Sequence, residues 1–288
     1  MVSTQLKPTK IIPLLENGDK LTRIEFERRY QGMPDSTKAE LIEGIVYMAS
    51  PLRYQSHGQT QLKPTEIIPL LENGDRLTRI EFERRYQAMP NLKKAELIEG
   101  IVYMASPLRV QHGEPHANIM TWLGVYKAGT SGLMLLDNTT VILDADNEPQ
   151  PDALLRIETG GQSIINDDDY IEGAPELIVE IAASTASYDL HTKKNVYRRN
   201  GVKEYLVWRV GDRDFDWFRW QEGEYLKIEP EADGIIRSEV FPGLWLDKSA
   251  LLAGNLARVL EVVGQGLSSV EHQTFVEGLT ATSTEEKE

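Results

Sequence analysis

Apolar residues follow two spacings along this chain, and each spacing predicts one type of element. The most apolar segment is PELIVEIAA at 175–183, where nearly every position is apolar, and this predicts a strand at the centre of a sheet. Alternating or short apolar runs bounded by turn residues predict further strands. They lie at 96–106 (with Gly100 at a turn), 133–136, 139–143, 151–157, 203–210, 214–220 and 224–228.

Helical spacing separates these strands, with helices predicted at 77–89, 115–128, 188–200, 249–263 and 267–278. In the first, Thr78 and Glu81 form a capping-box pattern, and Ile80, Phe82 and Tyr86 are the expected buried side chains. The second begins at Pro115, and residues 160–173 read as a polar loop. Strands and helices mix without regular βαβ alternation, which predicts an α/β or α+β fold with a mixed central β-sheet flanked by helices.

A long segment of the chain occurs twice. Gln5–Arg53 returns as Gln61–Arg109 with only six differences. Two nearly identical copies indicate a recent tandem duplication rather than a solenoid, whose repeats stack in larger numbers and diverge. The expected organisation is an extra copy of the front end at 1–60, one working domain at 61–278, and a disordered polar tail at 279–288.

Composition limits the class of protein. The hydrophobic fraction is 41%, the charged fraction 26%, and the chain has no cysteine, which excludes disulfides and thiolate metal sites. We expect no membrane span, because no apolar run approaches 18 residues, and no export signal is visible, so the cytoplasm is the expected compartment. A net charge of −14 argues against broad binding of a phosphate backbone.

The charge is unevenly distributed. Twelve acidic residues and one basic residue lie between Asp144 and Asp189, whereas five basic residues and no acidic residue lie between Leu190 and Lys203. The arrangement is compatible with a cation site beside an anion-binding face. It is also typical of solvated loops followed by a helix whose cations complement its dipole, and charge alone favours that second interpretation.

Two carboxylates are the candidate metal ligands. Asp152 begins one predicted strand and Glu180 lies near the end of the next long strand. If these strands pair antiparallel, both side chains project at the same end of the sheet. With the backbone carbonyl of Ile181, they would form a partial site of hard oxygen ligands for Mg²⁺. Glu180 is the only polar residue in 177–183, and a buried carboxylate is costly unless it is paired or metal-bound.

A lysine on the following helix is a third candidate site residue. On a helical wheel, Lys193 falls about 20° from the centre of the apolar face and Lys194 about 80° from it. Lys193 is therefore expected to face the core and Lys194 to face outward, although a snorkelling lysine would share this pattern. Glu96 on its own reads as a structural glutamate of an edge strand.

Other candidate sites are weaker. His112 and His116 have the i, i+4 spacing of zinc ligands, but Gly113 and Pro115 argue against a continuous helix through both, and no third ligand is apparent. The aromatic residues at 208–220 are better explained by packing on the sheet than by base stacking. Ser184 lacks the partners of a nucleophilic serine.

Several short motifs occur in a fixed order between about residues 77 and 210. They are Glu96-Leu97-Ile98-Glu99-Gly100, Ala105-Ser106-Pro107, His112, Pro151-Asp152, Pro175–Glu180 with Ser184, and Asp189-Leu190 followed by Lys193, Tyr197, Gly201-Val202 and Glu204-Tyr205. As an ordered set, these motifs resemble the Uma-two family of restriction endonucleases, a branch of the PD-(D/E)xK nuclease superfamily. The superfamily usually places its lysine two residues after the strand glutamate, where this chain has Ala182, and Lys193 takes the position found in the Uma-type pattern.

The resemblance implies a restriction-endonuclease-like fold and Mg²⁺- or Mn²⁺-dependent hydrolysis of DNA. Asp152 and Glu180 would hold the metal with Ile181, Lys193 would orient water or stabilise charge on phosphorus, and Glu96 would assist through a water. DNA is the implied substrate, and an unpaired strand in the extra copy is compatible with a homodimer. Two alternatives stay open: a catalytically silent module that binds a protein or nucleic acid, and a metal-dependent hydrolase of a small phosphoester.

Overall fold

A mixed β-sheet forms the centre of the protein. The computed structural model describes residues 15, 19–31, 33, 39–42, 44–48, 68–104, 109–183 and 188–285. The strands are β1 (Ala39–Ile42), β2 (Ile45–Met48), β3 (Ala95–Ile98), β4 (Ile101–Met104), β5 (Leu133–Asp137), β6 (Val141–Ile142), β7 (Ala153–Ile157), β8 (Ile164–Ile165), β9 (Ile171–Glu172), β10 (Leu177–Ala182), β11 (Glu204–Arg209), β12 (Asp214–Gln221), β13 (Glu224–Lys227), β14 (Ile235–Arg237) and β15 (Trp245–Asp247).

Helices surround this sheet. They are α1 (Arg23–Tyr30), α2 (Arg79–Gln87), α3 (Val110–Ala128), α4 (Lys194–Arg199), α5 (Lys248–Leu252), α6 (Leu256–Leu267) and α7 (Val270–Glu285). A π-helical turn, Asp189–Lys193, leads directly into α4. Within the described ranges, no helix combines the length and the apolar character that crossing a bilayer requires.

The central sheet has the strand order β13-β12-β11-β10-β7-β5 within the described residues. The pair β10 and β11 is parallel, and every other pair of neighbours is antiparallel. All residues of β10 are buried, because strands lie on both sides of it and helices cover both faces. The predicted fold class, a mixed central sheet flanked by helices, is confirmed.

The two faces of the sheet bury separate cores. Alternate residues Leu177, Val179 and Ile181 of β10 pack with helices α3, α5 and α6 on one face. On the other face, Ile178 and Ala182 pack against Tyr197 of α4 and against the aromatic residues of β11, β12 and β13. Glu180 shares the second face with Ile178 and Ala182, because side chains along a strand alternate between faces. Its side chain therefore points toward α4.

The front end, α2 with the hairpin β3-β4, forms a smaller unit with its own core of Leu71, Phe82, Ala95, Leu97 and Val102. Thr78 caps α2 by accepting a hydrogen bond from the N–H of Glu81, as predicted. The hairpin turns at Glu99-Gly100, both with positive φ, which is the conformation that a two-residue turn between antiparallel strands requires. Ile80 was expected to be buried and is 75% exposed, since it lies about 200° from Phe82 around the helix.

Helix α3 begins at Val110, five residues before the predicted start at Pro115. It is therefore continuous through Gly113 and Pro115, contrary to the sequence-based expectation. Pro115 lies in the second turn, where its missing N–H costs a single hydrogen bond, and its ring is buried. The burial of Ile119, Trp122, Leu123 and Tyr126 against the sheet outweighs that loss.

Three other predictions need correction. The loop predicted at 160–173 contains the short strands β8 and β9, which extend β6 into a small three-stranded sheet. Helix α7 continues to Glu285, into the segment predicted to be a disordered tail, because Phe275 and Leu279 pack against the main core and hold the helix in place. The helix predicted at 249–263 is divided into α5 and α6 at Gly254 (φ +72°).

Candidate functional site

Asp152 and Glu180 lie opposite each other on neighbouring strands. β7 and β10 pair antiparallel with Ala153 facing Val179, which places Asp152 opposite Glu180 one position further along. Asp152 Oδ2 accepts a hydrogen bond of 2.7 Å from the N–H of Ile181. Both carboxylates are buried, Asp152 at 5% and Glu180 at 3% exposure. The two strands therefore meet the condition, antiparallel pairing, under which both side chains were expected to project at the same end of the sheet.

Lys193 and Tyr197 approach Glu180 from the helical side of the same face. Lys193 Nζ donates to Glu180 Oε1 at 3.0 Å, and the Tyr197 hydroxyl donates to the same oxygen at 2.7 Å. Lys193 is only 4% exposed, whereas Lys194 is half-buried with its ammonium over the ring of Phe218. The predicted inward direction of Lys193 is confirmed, and it comes from a π-helical turn, an irregularity that is frequent at functional sites.

Glu96 completes the cluster from the front end of the domain. Its Oε1 accepts from Lys193 Nζ at 2.9 Å and from the N–H of Gln150 at 2.7 Å. Lys193 therefore bridges Glu96 and Glu180, which lie far apart in the sequence. By sequence alone Glu96 read as a structural edge glutamate, and only its place in the family motif pointed to the site.

Burial and mutual repulsion set the protonation of Glu180. Burial raises its pKa to about 8; Lys193 opposes this shift, while the charges of Asp152, Asp189 and Glu96 add to it. Burial acts against the ionised form of Glu96 too, but Lys193, Lys94 and the Gln150 N–H together lower the pKa of Glu96. The same carboxylates outweigh the burial of Lys193 and raise its pKa well above its ordinary value.

Asp152 remains ionised under all ordinary conditions. Burial alone would raise its pKa, but the hydrogen bond from His112, the charge of Lys94 and the Ile181 N–H lower that pKa to about 2. His112 Nε2 lies 3.2 Å from Asp152 Oδ2, and Lys94 Nζ lies 3.7 Å from Oδ1. The cluster thus places Asp152, whose pKa is lowered to about 2, beside Glu180, whose pKa is raised to about 8.

Both histidines of α3 face Asp152, because the helix is continuous. Their rings lie 5.8 Å apart, and His116 Nε2 contacts the Asp152 carbonyl oxygen at 2.9 Å and Asp137 Oδ1 at 3.0 Å. They therefore position the aspartate as part of a hydrogen-bonded network. Sequence reasoning missed Lys94 altogether, since a single surface lysine before a strand carries no signal of its own.

Two buried polar atoms near the cluster, the hydroxyl of Tyr188 and Nδ1 of His112, have no hydrogen-bond partner among the described residues. The Tyr188 ring packs against Tyr103 with the ring centroids 4.6 Å apart, and it lies 5.8 Å from the Lys193 ammonium. The motif residues Ala105-Ser106-Pro107 and Ser184 lie outside the described residues.

Glu204, another residue of the sequence motifs, lies outside the cluster and has a structural role. Its two oxygens accept hydrogen bonds from Trp217 Nε1, the Ser238 hydroxyl and the N–H groups of Glu239 and Val240. It therefore ties β11 to the segment after β14. The neighbouring Tyr205 donates its hydroxyl to the carbonyl of Asp189, which fixes the turn that carries Lys193.

The donor set suits a hard divalent cation. Asp152 and Glu180 offer carboxylate oxygens. Burial raises the pKa of Glu180 to about 8, and the neighbouring acidic groups add to this shift, so a bound cation would stabilise the ionised form of Glu180. The described residues contain no group of three His, Asp or Glu side chains arranged to hold a metal ion by themselves. A cation here would therefore need main-chain or water oxygens in addition to Asp152 and Glu180.

A family model covering residues 79–249, more than half of the chain, matches this sequence, and the family is described as "Uma2: Putative restriction endonuclease". The chain belongs to the Uma2 family. The matched range runs from α2 through α3, β7, β10 and the Lys193 turn, so it contains every residue of the cluster. The similarity to this family seen in the short motifs is thereby confirmed, and the protein is a member of a nuclease-like family.

One solved structure resembles the Uma2 chain over 64% of its length and 97% of the other chain, with 14% identity and a TM-score of 0.43. It is described as "a putative nuclease belonging to DUF820" from Anabaena variabilis. No functionally curated protein matches the chain.

Proposed function

We propose that this Uma2 protein is a Mg²⁺- or Mn²⁺-dependent endonuclease that hydrolyses phosphodiester bonds of DNA. The observation that carries the proposal is the buried lysine, Lys193, held between Glu96 and Glu180 beside the opposed carboxylate of Asp152. Two buried carboxylates share the Lys193 ammonium, and the buried carboxylate of Asp152 lies beside them. Because each buried charge is costly to desolvate, such a cluster favours a functional site over a structural ion pair. Membership of a family of restriction endonucleases supports the same reaction.

Asp152 and Glu180, with the Ile181 carbonyl, are the residues that would hold the metal. When bound, Mg²⁺ supplies Lewis-acid activation of the phosphate and lowers the pKa of bound water. Asp152 suits the role of ligand because its low pKa keeps it ionised, and His112 and Lys94 fix its orientation. Tyr197 fixes Glu180 in the same way.

Lys193 supplies positive charge next to the site of reaction. Its raised pKa keeps the ammonium protonated, and within the described residues two of its three N–H donors go to Glu96 and Glu180. The third has no acceptor among the described residues, and it would donate to a phosphate oxygen and stabilise charge that develops on phosphorus. Glu96 holds the ammonium in position, and its own orientation is set by the Gln150 N–H.

A catalytically silent binding module is the second candidate. The observation that favours it is the closed network itself, in which Lys193 already pairs with two carboxylates and His112 and Lys94 with the third. Such a network is electrostatically satisfied to a large extent without a metal. Uptake of a divalent cation separates the two candidates.

The decisive experiment measures cleavage of plasmid and single-stranded DNA by purified protein with Mg²⁺ or Mn²⁺, alongside metal binding by calorimetry. The variants are Asp152→Asn, Glu180→Gln and Lys193→Met, with Lys194→Met as the matched control on the neighbouring residue. We expect cleavage to fall by about 100-fold or more in the three site variants and to change little in the control. Absence of both cleavage and metal binding in the natural sequence would favour the silent module, and cleavage that persists in all variants would refute this site.

A further inference from the structure

The two copies of the front end fold in the same way. In the second copy, Leu77 N–H donates to Gly100 O and Val102 N–H to Asp75 O; in the first, Leu21 and Val46 repeat these bonds with Gly44 and Asp19 at 2.8 Å. Both helices carry a threonine cap. Leu15 and Val46, the equivalents of Leu71 and Val102, are buried in the first copy, whereas Phe26, Ala39 and Leu41 are only half-buried. The described part of the first copy therefore repeats the backbone pattern of the second with a less buried core.

The second copy docks on the body of the domain through the segment 145–150. Leu97 and Glu148 exchange two backbone hydrogen bonds of 3.2 and 2.7 Å, and Gly100 N–H donates to Asp146 O at 2.8 Å. Tyr86 Oη accepts from Gln150, and Glu96 accepts from the Gln150 N–H while it pairs with Lys193. This docking brings Glu96 into the cluster.

All of these docking residues are identical in the first copy. The six differences are Lys10/Glu66, Lys20/Arg76, Gly32/Ala88, Asp35/Asn91, Ser36/Leu92 and Thr37/Lys93. None of them makes the contacts just described. The first copy thus carries the complete docking face, with Tyr30, Glu40, Leu41 and Gly44 in the places of Tyr86, Glu96, Leu97 and Gly100.

In the first copy this face is more exposed to solvent than in the second, with Leu41 and Gly44 half-buried. The side chain of Arg23 is 86% exposed against 30% for Arg79, and that of Glu27 is 54% exposed against 27% for Glu83. Glu40 is exposed, whereas Glu96 is buried. The identical face of the second copy contacts the 145–150 segment of this same chain, so the first copy has the residues to make the same contacts.

We propose that the first copy exchanges with the second on its own chain, docking on 145–150 and bringing Glu40 to Lys193 in place of Glu96. Either copy would make the same hydrogen bonds with 145–150, so the two states differ in free energy only through the six substitutions and the chain connection. When the first copy docks, the chain between Arg53 and Val110 forms a closed loop that includes the second copy. The entropic cost of closing a loop rises only slowly with its length. The second copy, joined directly to the body, is the major form.

Proximity favours exchange within one chain. Lys20 of the first copy lines a cavity of about 550 Å³ together with Glu99 of the second copy and with His191, Asn195 and Arg199 of the body. The first copy is also joined to the body through the chain, so its effective concentration at 145–150 exceeds that of a second molecule in dilute solution.

Disulfide trapping in the full chain tests the exchange, since the natural sequence has no cysteine. A disulfide in the variant Leu97→Cys with Glu148→Cys shows that the second copy is docked on 145–150. Residues that exchange both backbone hydrogen bonds in an antiparallel pair lie within disulfide reach. A disulfide in the variant Leu41→Cys with Glu148→Cys shows that the first copy is docked there instead. Leu41→Cys with Glu261→Cys on the exposed side of α6 measures chance collision.

We expect the Leu41/Glu148 variant to form an intramolecular disulfide, slower than the Leu97/Glu148 variant but about tenfold or more faster than the collision control. Rates equal to that control would overturn the proposal. A disulfide found only between two chains would overturn it as well, because the first copy would then dock on another molecule.

Two matched glycine substitutions give the sharper test. Gly100 and Gly44 are the equivalent turn glycines, at φ +69° and +82°, where a β-branched side chain is strained. In the Leu41/Glu148 background, Gly100→Val should weaken docking of the second copy and speed disulfide formation several-fold, whereas Gly44→Val should slow it. The opposite order, or no effect of either, would refute exchange.

The role of Glu40 rests on the proposed function, and DNA cleavage measures it separately from the exchange. If the protein cleaves DNA, Glu96→Ala should retain partial activity, and Glu40→Ala combined with Glu96→Ala should remove the remainder. Equal activity of the single and the double variant would overturn substitution by Glu40. Trapping detects exchange even in a protein that does not cleave DNA, so failure of the proposed function and failure of exchange are distinguishable.

Discussion

Lys193 is the residue on which the charge balance of the cluster depends. It is the cation in hydrogen-bond contact with both Glu96 and Glu180, and all three side chains are buried. Removing one partner of a buried ion pair leaves the other charge without compensation, which costs far more than the pair contributes when intact. The side chain is therefore essential to stability as well as to the proposed reaction.

Replacing Lys193 with methionine should lower the free energy of unfolding by about 3–5 kcal/mol at pH 7.5. Without the ammonium, the pKa values of Glu96 and Glu180 rise, so both carboxyls can be neutral at lower pH and the loss should be smaller at pH 5. Urea titrations at the two pH values measure this. Lys194→Met, which loses only a half-buried cation–π contact, should cost about 1 kcal/mol at most, and an equal loss in both variants would contradict the assignment.

Glu148 is a buried acid outside the cluster. Burial, together with the charge of Glu83 and a hydrogen bond to it, raises the pKa of Glu148 to about 8, against a weaker opposing effect of Arg79. Its Oε2 has no hydrogen-bond partner among the described residues. The folded protein therefore holds a proton here that the unfolded chain releases near pH 4.5.

Stability should fall as the pH rises through this interval. Because the folded state binds more protons than the unfolded state between about pH 4.5 and 8, the contribution of Glu148 is present at low pH and lost on approach to pH 8. Glu148→Gln keeps the neutral form at every pH and should be more stable than the natural sequence at pH 8.5 by about 1–3 kcal/mol. Thermal unfolding across pH 5–8.5 shows whether the stabilities of the natural sequence and of Glu148→Gln converge at low pH. Parallel pH dependence of the two proteins would exclude Glu148 as the source of the loss of stability.

Helices α3 and α7 show how packing decides where an element begins and ends. Gly113, Pro115 and the polar residues after Leu279 all disfavour a helix locally. Burial of Trp122 and Tyr126 in α3 continues that helix back to Val110. In α7, Phe275 packs edge-to-face on Phe241 at 6.3 Å, and Leu279 packs near Gly132.

Ending the chain after Gly278 should therefore destabilise the protein, by about 1–2 kcal/mol for the loss of the partly buried Leu279. Ending it after Glu285 should change little. Chemical denaturation of the two truncated chains measures the difference. Equal stability would show that the residues after Gly278 contribute nothing to the core.

The whole molecule contains two front ends and one docking site for them. The second copy is joined directly to α3 and occupies the site, with Leu97 paired to Glu148 and Glu96 to Lys193. The family match begins at residue 79, within this second copy. The working domain is therefore expected to stand without the first copy.

Deleting residues 1–58 should leave the fold and any activity intact, with a melting temperature within about 3 °C of the full chain. Circular dichroism, thermal unfolding and the DNA cleavage assay measure this together. Loss of soluble folded protein would contradict the prediction. The informative comparison is deletion of 54–109, which joins Arg53 to Val110 and puts the first copy in the second copy's place; exchange requires that this chain also folds.

The sequence by itself determined the local features of this protein. The apolar run at 175–183 identified the central strand, and the helical wheel separated Lys193 from Lys194. The cap at Thr78 and the turn at Gly100 were readable for the same reason: each depends on neighbours within a few residues. Asp152 and Glu180 were paired correctly because antiparallel neighbours in a sheet follow simple geometry.

Only the tertiary structure decided which distant residues join the cluster. Glu96 reaches Lys193, and Lys94 reaches Asp152, because the front end docks on 145–150, a contact that no local period records. His112 and His116 meet Asp152 because burial of α3 overrides the helix-breaking tendency of Gly113 and Pro115. Periodicity reports the direction of a side chain from its own element, whereas the distance between elements depends on the free energy of packing the whole chain.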